Sequence, residues 1–338
     1  MNYIGSKYRL AQFIKSVITE TVGDIENTIF CDIFAGTGAI GRIFKTSVKK
    51  VISNDIEYYA FVLNKNYIEN NLPLECNKLL CQLNQLTEIE GFIYKNYAHN
   101  GSERNYFNAH NGKKIDAIRT HIAEIKKSNQ INDSEYFFLL ASLLESADKV
   151  ANTASVYGAF LKHLKKTAEK KLLLTPAHFD ITYAQKDIYN EVYNENANDL
   201  IKKIEGDILY LDPPYNARQY GSNYHLLNTI ALYDEFVPKG KTGLRPNYIK
   251  SLYCQKNEAK KELEDLIKNA AFKHIFLSYN NEGIIQNNEI REIFEKYGHY
   301  DIVEKSYQRF MADKSENRVF KDSKTLEYIH ILEKKVHF

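Results

Sequence analysis

A short apolar segment that runs directly into a cluster of glycines places the strongest constraint on the fold of this chain. Residues 28–34 (TIFCDIF) are apolar and β-branched, and they lead into Gly36, Gly38 and Gly41. A helix-like segment follows, and a second apolar run then ends at Asp55. Strand, tight turn, helix and strand form the unit of a parallel sheet, so this pattern predicts an α/β fold.

Later apolar runs extend the same sheet. Residues 207–212 and 274–279 have the composition of buried strands. Near the end of the chain, residues 301–311 and 325–332 form two further strand-like runs joined by a polar connection. The sequence therefore predicts a Rossmann-like sheet that ends in a β-hairpin at its edge.

The segment at 72–179 has a different pattern. It contains no strand-glycine-helix unit, and it carries helical stretches at 136–149 and 159–174. We expect an inserted, mainly helical domain at 72–179, and a sheet domain formed by residues 1–71 and 180–338.

Five lysines lie between residues 162 and 171, and they include Lys165 and Lys166. Helical spacing would place several of them on one side of a helix. Two interpretations stay open for this group, a solvated helix face or a surface that contacts phosphate groups.

Charge and cysteine content narrow the classes of partner and site. The 338 residues carry 45 Lys and Arg against 43 Asp and Glu, a net charge of +2, so any contact with a polyanion must use local basic patches. The four cysteines form no paired C-x2-C set, so we expect no metal site. The sequence has no leader-like opening and no apolar run near the ~20 residues that span a bilayer, so we expect no membrane segment and a cytoplasmic location.

The glycine turn also indicates a ligand-binding site. It satisfies G-x-G-x-x-G after a strand, and Asp55 follows at the end of the next strand. Glycines allow a ligand to approach the backbone closely and a carboxylate can bind ribose hydroxyls, so the motif favours a nucleoside cofactor over a structural turn. Asp32, just before the turn, would repel a pyrophosphate but can hold an ammonium group. This favours S-adenosylmethionine (AdoMet) over a dinucleotide, although the motif alone leaves an NAD-dependent oxidoreductase open.

The tetrad Asp212-Pro213-Pro214-Tyr215 follows a buried strand directly. Consecutive prolines donate no backbone hydrogen bonds and hold the chain extended, so their carbonyl groups are free to accept. Asp212 and the Pro213 carbonyl can accept the two hydrogens of an exocyclic amine on a planar ring, while Tyr215 stacks on that ring. A plain proline turn is the alternative interpretation.

These motifs, taken in order, resemble the Dam-like alpha group of N6-adenine DNA methyltransferases. Their order is a short N-terminal cofactor motif, the glycine loop, an inserted target-recognition domain and then the Asp-Pro-Pro-Tyr tetrad. The resemblance implies AdoMet as cofactor, and it places the catalytic roles on Asp212, Pro213, Pro214 and Tyr215. It places the cofactor-binding roles on Tyr3, Lys7, Asp32, Phe34, Gly36, Gly38, Asp55, Asp187 and Ile188. Asp187 also suits a helix cap or a surface carboxylate.

A segment after the tetrad, residues 216–225, resembles a segment found in one branch of this family. From it we expect Arg218, Tyr220 and Asn223 to contact DNA, and a surface loop without function is the alternative. Residues 278–282 also resemble that branch, with no role assigned.

The resemblance implies methyl transfer from AdoMet to the N6 amine of an adenine flipped out of double-stranded DNA. The expected setting is a restriction-modification system in which a cognate endonuclease acts separately. We expect the insertion to read the major groove, with Lys165 and Lys166 on phosphates. The alternatives are an RNA adenine methyltransferase and an NAD-dependent oxidoreductase, although the latter leaves residues 212–215 without a role. The oligomeric state stays open.

Overall fold

The structure is a computed structural model that describes residues 7–154, 156–182, 189–308 and 324–335. The contacts within it divide the chain into two compact units. The first unit takes in Glu57–Ile181 and Tyr220–Ile249, and the second takes in Ser6–Ile56, Thr182–Gln219 and Lys250–Phe338.

The second unit is built on a mixed sheet. Within the described residues this sheet has seven strands, in the order β3-β2-β1-β4-β5-β7-β6. The strands from β1 to β5 pair in parallel, whereas β7 pairs antiparallel with both β5 and β6. The predicted α/β sheet and its terminal hairpin are confirmed. The strands are β1 Ile29–Asp32, β2 Lys50–Asn54, β3 Glu191–Tyr193, β4 Glu205–Leu211, β5 Ala271–Asn280, β6 Gly298–Gln308 and β7 Lys324–Lys334.

The helices of both units are named in chain order. They are α1 Ala11–Val22, α2 Ala39–Phe44, α3 Tyr58–Asn64, α4 Asn77–Gln85, α5 Phe92–Tyr97, α6 Ala109–Lys127, α7 Asp133–Val150, α8 Ala197–Leu200, α9 Tyr220–Asn223, α10 His225–Leu232, α11 Ala259–Asn269 and α12 Asn287–Tyr297. A π-helical segment, Lys65–Glu69, continues α3. None of the helices in the described residues combines the length and apolar character that crossing a bilayer requires.

The central strands are apolar on both faces because helices cover both faces. On one face, Phe30 of β1 stacks against Phe44 of α2, with ring centroids 4.1 Å apart. On the other face, Leu209 of β4 belongs to a buried cluster with Leu263 of α11 and Ile290 of α12. Two buried faces explain why β4 reads as a continuous apolar run in the sequence.

The first unit is mainly helical. Its long helices α6 and α7 pack together, and α7 also packs against α3 and α10. The start of α7 is fixed by a capping box, in which Asn132 and Glu135 each bind the other's backbone N–H. The unit therefore takes in residues on both sides of the predicted insertion, 57–71 and 220–249, because α3 and α10 supply neighbours for α7.

The predicted helix at 159–174 is wrong. This segment consists of turns and extended chain, because several of its backbone groups bind two asparagine side chains and only one short turn, at 165–169, has backbone hydrogen bonds of its own. Asn152 binds Leu161 O and the backbone N–H of Lys165, and Asn111 binds Lys170 O and the N–H of Leu172. Its lysines therefore do not share a helix face.

Candidate active site

Three carboxylates follow three neighbouring parallel strands. Asp32 ends β1, Asp55 comes directly after β2 and Asp212 comes directly after β4. β1 lies between β2 and β4, so the strand order reverses beside β1. Ligands of open α/β sheets bind at the carboxyl ends of strands at such a reversal. The sheet thus places three of the expected site residues at the position where this fold forms a binding crevice.

The glycine loop between β1 and α2 is tied to the end of β2. The backbone N–H of Gly36 donates to Asp55 Oδ2 (2.8 Å), and that of Ala35 donates to the carbonyl of Asn54 (2.9 Å). Gly36 and Gly38 have φ angles of 52° and 77°, a left-handed conformation that residues with a side chain rarely adopt. The glycines are required for this turn, which leads into α2.

Phe34, in the same loop, is partly buried. Its ring meets that of Tyr253 edge to face, with centroids 5.1 Å apart. It also packs against the apolar cluster that includes α11 and α12. Phe34 therefore anchors the loop to the core, which is compatible with its expected place near a cofactor.

Asp32 is an almost fully buried acid with an unused acceptor. It is 1% exposed, and its Oδ1 has no hydrogen-bond partner. Burial, followed by the charges of Asp212 and Asp55, raises its pKa well above the ordinary value, although backbone N–H groups of Gly41 and Phe34 oppose this shift. An orphaned oxygen among other carboxylates is a favourable site for a cationic group of a ligand.

The Asp-Pro-Pro-Tyr tetrad forms an extended loop after β4. Tyr215 is held from two sides: its carbonyl accepts the N–H of Ile284 (2.9 Å), and its ring lies edge-on to Tyr279 (centroids 6.4 Å apart). Gly283 packs so closely on Tyr279 that an added Cβ would lie 2.0 Å from the ring. Residues 278–284 thus support the tetrad, which gives a structural role to the segment at 278–282.

A buried lysine connects the tetrad to the C-terminal strand. Lys7 is 7% exposed; its ammonium group donates a hydrogen bond to Glu327 of β7 and lies 3.4 Å from Asp212 Oδ1. Ser278 of β5 donates to the same oxygen of Glu327 (2.6 Å). Burial alone would lower the pKa of Lys7, but the charges of Asp212 and Glu327 outweigh it and raise the pKa. Lys7 is therefore a permanent cation at the site.

Asp212 titrates close to neutrality. Burial raises its pKa, the Lys7 ammonium lowers it and the Glu327 carboxylate raises it again, with a result of about 7. Among the site residues described above, the carboxyl groups of Asp32, Asp212 and Glu327 outnumber the ammonium group of Lys7. This charge balance attracts a cationic ligand and repels a pyrophosphate.

Comparison with known proteins identifies the family of the chain. The family model for D12 class N6 adenine-specific DNA methyltransferases matches residues 3–293. The chain belongs to this family. It is an enzyme that methylates adenine in DNA at specific sites, as the resemblance implied, and this membership removes the oxidoreductase alternative.

Several relatives align over nearly the whole chain. The Type II methyltransferase M.NlaIII of Neisseria lactamica is 57% identical over 337 residues, which cover 99% of each protein. M.CviAII of Paramecium bursaria Chlorella virus 1 is 36% identical, over 92% of this chain and 93% of that protein. M.FokI of Planomicrobium okeanokoites is 42% identical over 99% of this chain, which spans 53% of M.FokI.

The remaining expected residues of this D12 methyltransferase are spread over both units. Tyr3, Asp187 and Ile188 lie outside the described residues. Arg218 is an exposed residue of the second unit, and its carbonyl accepts from Cys254 Sγ (3.4 Å). In the first unit, Tyr220 stacks on Tyr224 (centroids 6.2 Å apart), and Asn223 O accepts the N–H of Tyr157 (2.8 Å).

The two lysines expected on DNA phosphates differ in their surroundings. Lys165 Nζ donates to Thr153 O (2.7 Å), and partial burial lowers the pKa of this lysine. Lys166 is exposed to solvent. Of the pair, only Lys166 presents its charge outward.

Sequence reasoning missed Glu327 of this methyltransferase, and it assigned no role to Ser278. A signal for Glu327 exists, because the alternation of β7 places it on the same face as Ile329 and Ile331, which are buried. A carboxylate in line with buried aliphatic residues is rare and indicates a partner or a function. Within the described residues, no group of three or more His, Cys, Asp or Glu side chains is arranged to hold a metal ion.

Proposed function

We propose that this enzyme transfers the methyl group of AdoMet to the N6 amine of an adenine flipped out of duplex DNA. The proposal rests on one observation: Asp212 of the tetrad lies beside the glycine loop, at the carboxyl ends of adjacent strands. A base amine held at Asp212 and a cofactor held at the loop then meet at one edge of the sheet.

The residues of the site fit AdoMet. AdoMet supplies an electrophilic methyl group and carries cationic groups but no phosphate. Asp32, with its orphaned buried oxygen, would hold the ammonium end, and Asp55 would bind the ribose hydroxyls. Gly36 and Gly38 allow the close approach of the backbone. The excess of carboxylates supports this cofactor over a dinucleotide, whose pyrophosphate they would repel.

The tetrad performs the chemistry by orienting the amine. The lone pair of an adenine amine is delocalised into the ring, which makes the nitrogen a poor nucleophile. When Asp212 and the Pro213 carbonyl accept its two hydrogens, the lone pair is localised and aimed at the methyl group, while Tyr215 stacks on the base. Orientation of this kind is worth up to ~7–11 kcal/mol in favourable cases.

The methylated nitrogen must then lose one proton. A carboxylate with a pKa of about 7 is a competent acceptor for that proton, and Asp212 already contacts the amine in this arrangement. Asp212 therefore serves first as a hydrogen-bond acceptor and then as a base. No covalent intermediate with the enzyme is needed.

The direct test replaces Asp212 with Asn, which keeps the shape but removes the charge. Transfer of tritium from labelled AdoMet to DNA should fall by at least about a thousandfold, because the amide oxygen of Asn accepts only a weaker, uncharged hydrogen bond and cannot act as a base. AdoMet affinity, measured by calorimetry, should stay within about threefold. Labelling at the parental rate would refute the assignment.

The relatives support a proposal for the biological setting. M.NlaIII and M.FokI are Type II methyltransferases, so we propose that this enzyme marks one sequence of cytoplasmic DNA in a restriction-modification system, with a cognate endonuclease acting separately. The helical insertion would read the major groove. Expression in a methylation-free host, followed by modified-base sequencing, should reveal a single methylated motif; scattered or absent N6-methyladenine would contradict this.

A further inference from the structure

Glu327 is a fully buried carboxylate that belongs to none of the sequence motifs. Its Oε1 accepts hydrogen bonds from Lys7 and from Ser278, whereas its Oε2 has no hydrogen-bond partner. The residue is 0% exposed. Two donors on one oxygen and none on the other leave this charge incompletely compensated.

Stability alone does not account for this arrangement. Burying a carboxylate costs several kcal/mol, and a single well-made ion pair is the least expensive way to compensate it. Here one ammonium group, that of Lys7, serves two carboxyl groups, the partly buried Asp212 and the fully buried Glu327. When Asp212 is ionised, the cluster carries a net negative charge, which is unfavourable for folding and typical of functional sites.

The ammonium group of Lys7 lies closer to Glu327 than to Asp212. Its closest hydrogen bond goes to Glu327, and the distance to Asp212 Oδ1 is 3.4 Å, longer than a charge-assisted hydrogen bond. Without Glu327, the ammonium group would have Asp212 as its remaining acidic partner among these residues. A close pair would engage the lone pairs of Asp212 that the target amine requires.

We propose that Glu327 is a positioning residue of the methyl-transfer reaction, which draws Lys7 away from close pairing and so leaves Asp212 free to accept hydrogen bonds and a proton from the adenine amine. This inference rests on the role proposed for Asp212. It adds a residue of the last strand to the reaction, 115 positions beyond Asp212 (327 minus 212) in the sequence.

The charge of Glu327 also affects the pH at which Asp212 ionises. The ionisable groups that interact with Asp212 come from several elements, and they are Lys7, Glu327, Asp32, Tyr210 and Tyr215. Of these, Lys7 lowers the pKa of Asp212 and Glu327 raises it. Neutralising Glu327 leaves Lys7 unopposed, so the pKa of Asp212 should fall.

The test compares Glu327→Gln with Glu333→Gln, a matched control at an exposed position of the same strand. Single-turnover methyl transfer to duplex DNA is measured between about pH 5.5 and 9. For Glu327→Gln we expect the plateau rate to fall at least about tenfold, while the midpoint of the acidic limb moves down by about half a pH unit or more. Glu333→Gln should have the same plateau rate and the same midpoint as the parent.

A second readout is independent of activity. The carboxyl resonance of Asp212, assigned with Asp212→Asn, is titrated by NMR in protein without DNA or cofactor. Its midpoint should be lower in Glu327→Gln than in the parent. If Glu327→Gln does not fold, Lys7→Gln tests the opposing effects of Lys7 and Glu327 on the pKa of Asp212 from the other side. Loss of the ammonium group should raise the Asp212 midpoint.

The outcomes are separable. A lower plateau with an unmoved midpoint would mean that Glu327 only supports the fold, and an unchanged plateau would mean that it has no role; either result overturns this proposal. If Asp212→Asn is inactive while Glu327→Gln behaves as the parent, the function of Asp212 stands and the role of Glu327 does not. Parental activity of Asp212→Asn would instead refute the proposed function itself.

Discussion

The carboxylate of Asp55 accepts a hydrogen bond from the backbone N–H of Gly36, with 2.8 Å between Oδ2 and N. The acid that follows β2 therefore shapes the loop that follows β1. If Asp55 also binds the ribose of AdoMet, as we propose, one side chain both builds the cofactor loop and contacts the cofactor.

Replacing Asp55 with Ala should weaken AdoMet binding by about 10- to 100-fold, because a hydrogen bond to a charged group contributes roughly 1.5–3 kcal/mol. Asp55→Asn is the matched control, since its amide oxygen can still accept from Gly36. Calorimetry should place its affinity between the parent and Asp55→Ala. Equal affinity of Asp55→Ala and the parent would show that Asp55 does not contact the cofactor.

Methyl transfer should depend on the ionisation of Asp212. Burial raises the pKa of this acid, Lys7 lowers it and Glu327 raises it again, to about 7. The protonated form is a weaker hydrogen-bond acceptor and cannot take up the proton of the methylated amine. The single-turnover rate should therefore fall about tenfold for each pH unit below that value and level off above it. A rate that stays constant down to about pH 5.5 would contradict this role.

The sheet and the placement of three acidic residues at its strand ends could be predicted because their signals are local. Strands buried on both faces read as apolar runs; Asp55 and Asp212 directly follow such strands, and Asp32 is the last residue of one. Since carboxyl ends of parallel strands lie at one edge of a sheet, the sequence itself implied that these acids converge.

Features that depend on distant partners were not predicted. β3 has three half-buried residues, Glu191–Tyr193, too few to form an apolar pattern. The pairing of Lys7 with Glu327 joins residues 320 positions apart. The false helix at 159–174 had helical spacing, but Asn111 and Asn152 supplied hydrogen bonds that no local pattern shows. In each case tertiary contacts, and not local propensity, determine the local structure.

Asp32 should reduce the stability of the protein without its cofactor. Burial, Asp212 and Asp55 raise its pKa, so the folded state binds the proton more tightly than the unfolded state and the cost of ionisation appears as the pH rises above about 4. Asp32→Asn should raise the free energy of unfolding by about 1–2 kcal/mol at pH 8, and this gain should vanish near pH 4.

Urea denaturation at both pH values measures this difference, and calorimetry on the same variant should show weaker AdoMet binding, since the acceptor for the ammonium group is lost. An equal gain in stability at both pH values would show that the shape of the Asp32 side chain, and not its charge, limits the stability of the parent protein. Lower stability at pH 8 would mean that Asp32 already has a compensating partner.

Substitutions of Lys165 and Lys166 should have different effects on DNA binding and on stability. Lys166 is exposed and free to meet a phosphate, so Lys166→Ala should lower the slope of log affinity against log salt concentration by about 0.9, the value for one phosphate contact. Lys165 donates to Thr153 O, so Lys165→Ala should cost about 1 kcal/mol of stability and leave the slope unchanged. Fluorescence anisotropy on duplex DNA at several salt concentrations measures the slopes. The reverse pattern, with the slope lowered by Lys165→Ala alone, would mean that Lys165 leaves Thr153 to bind DNA.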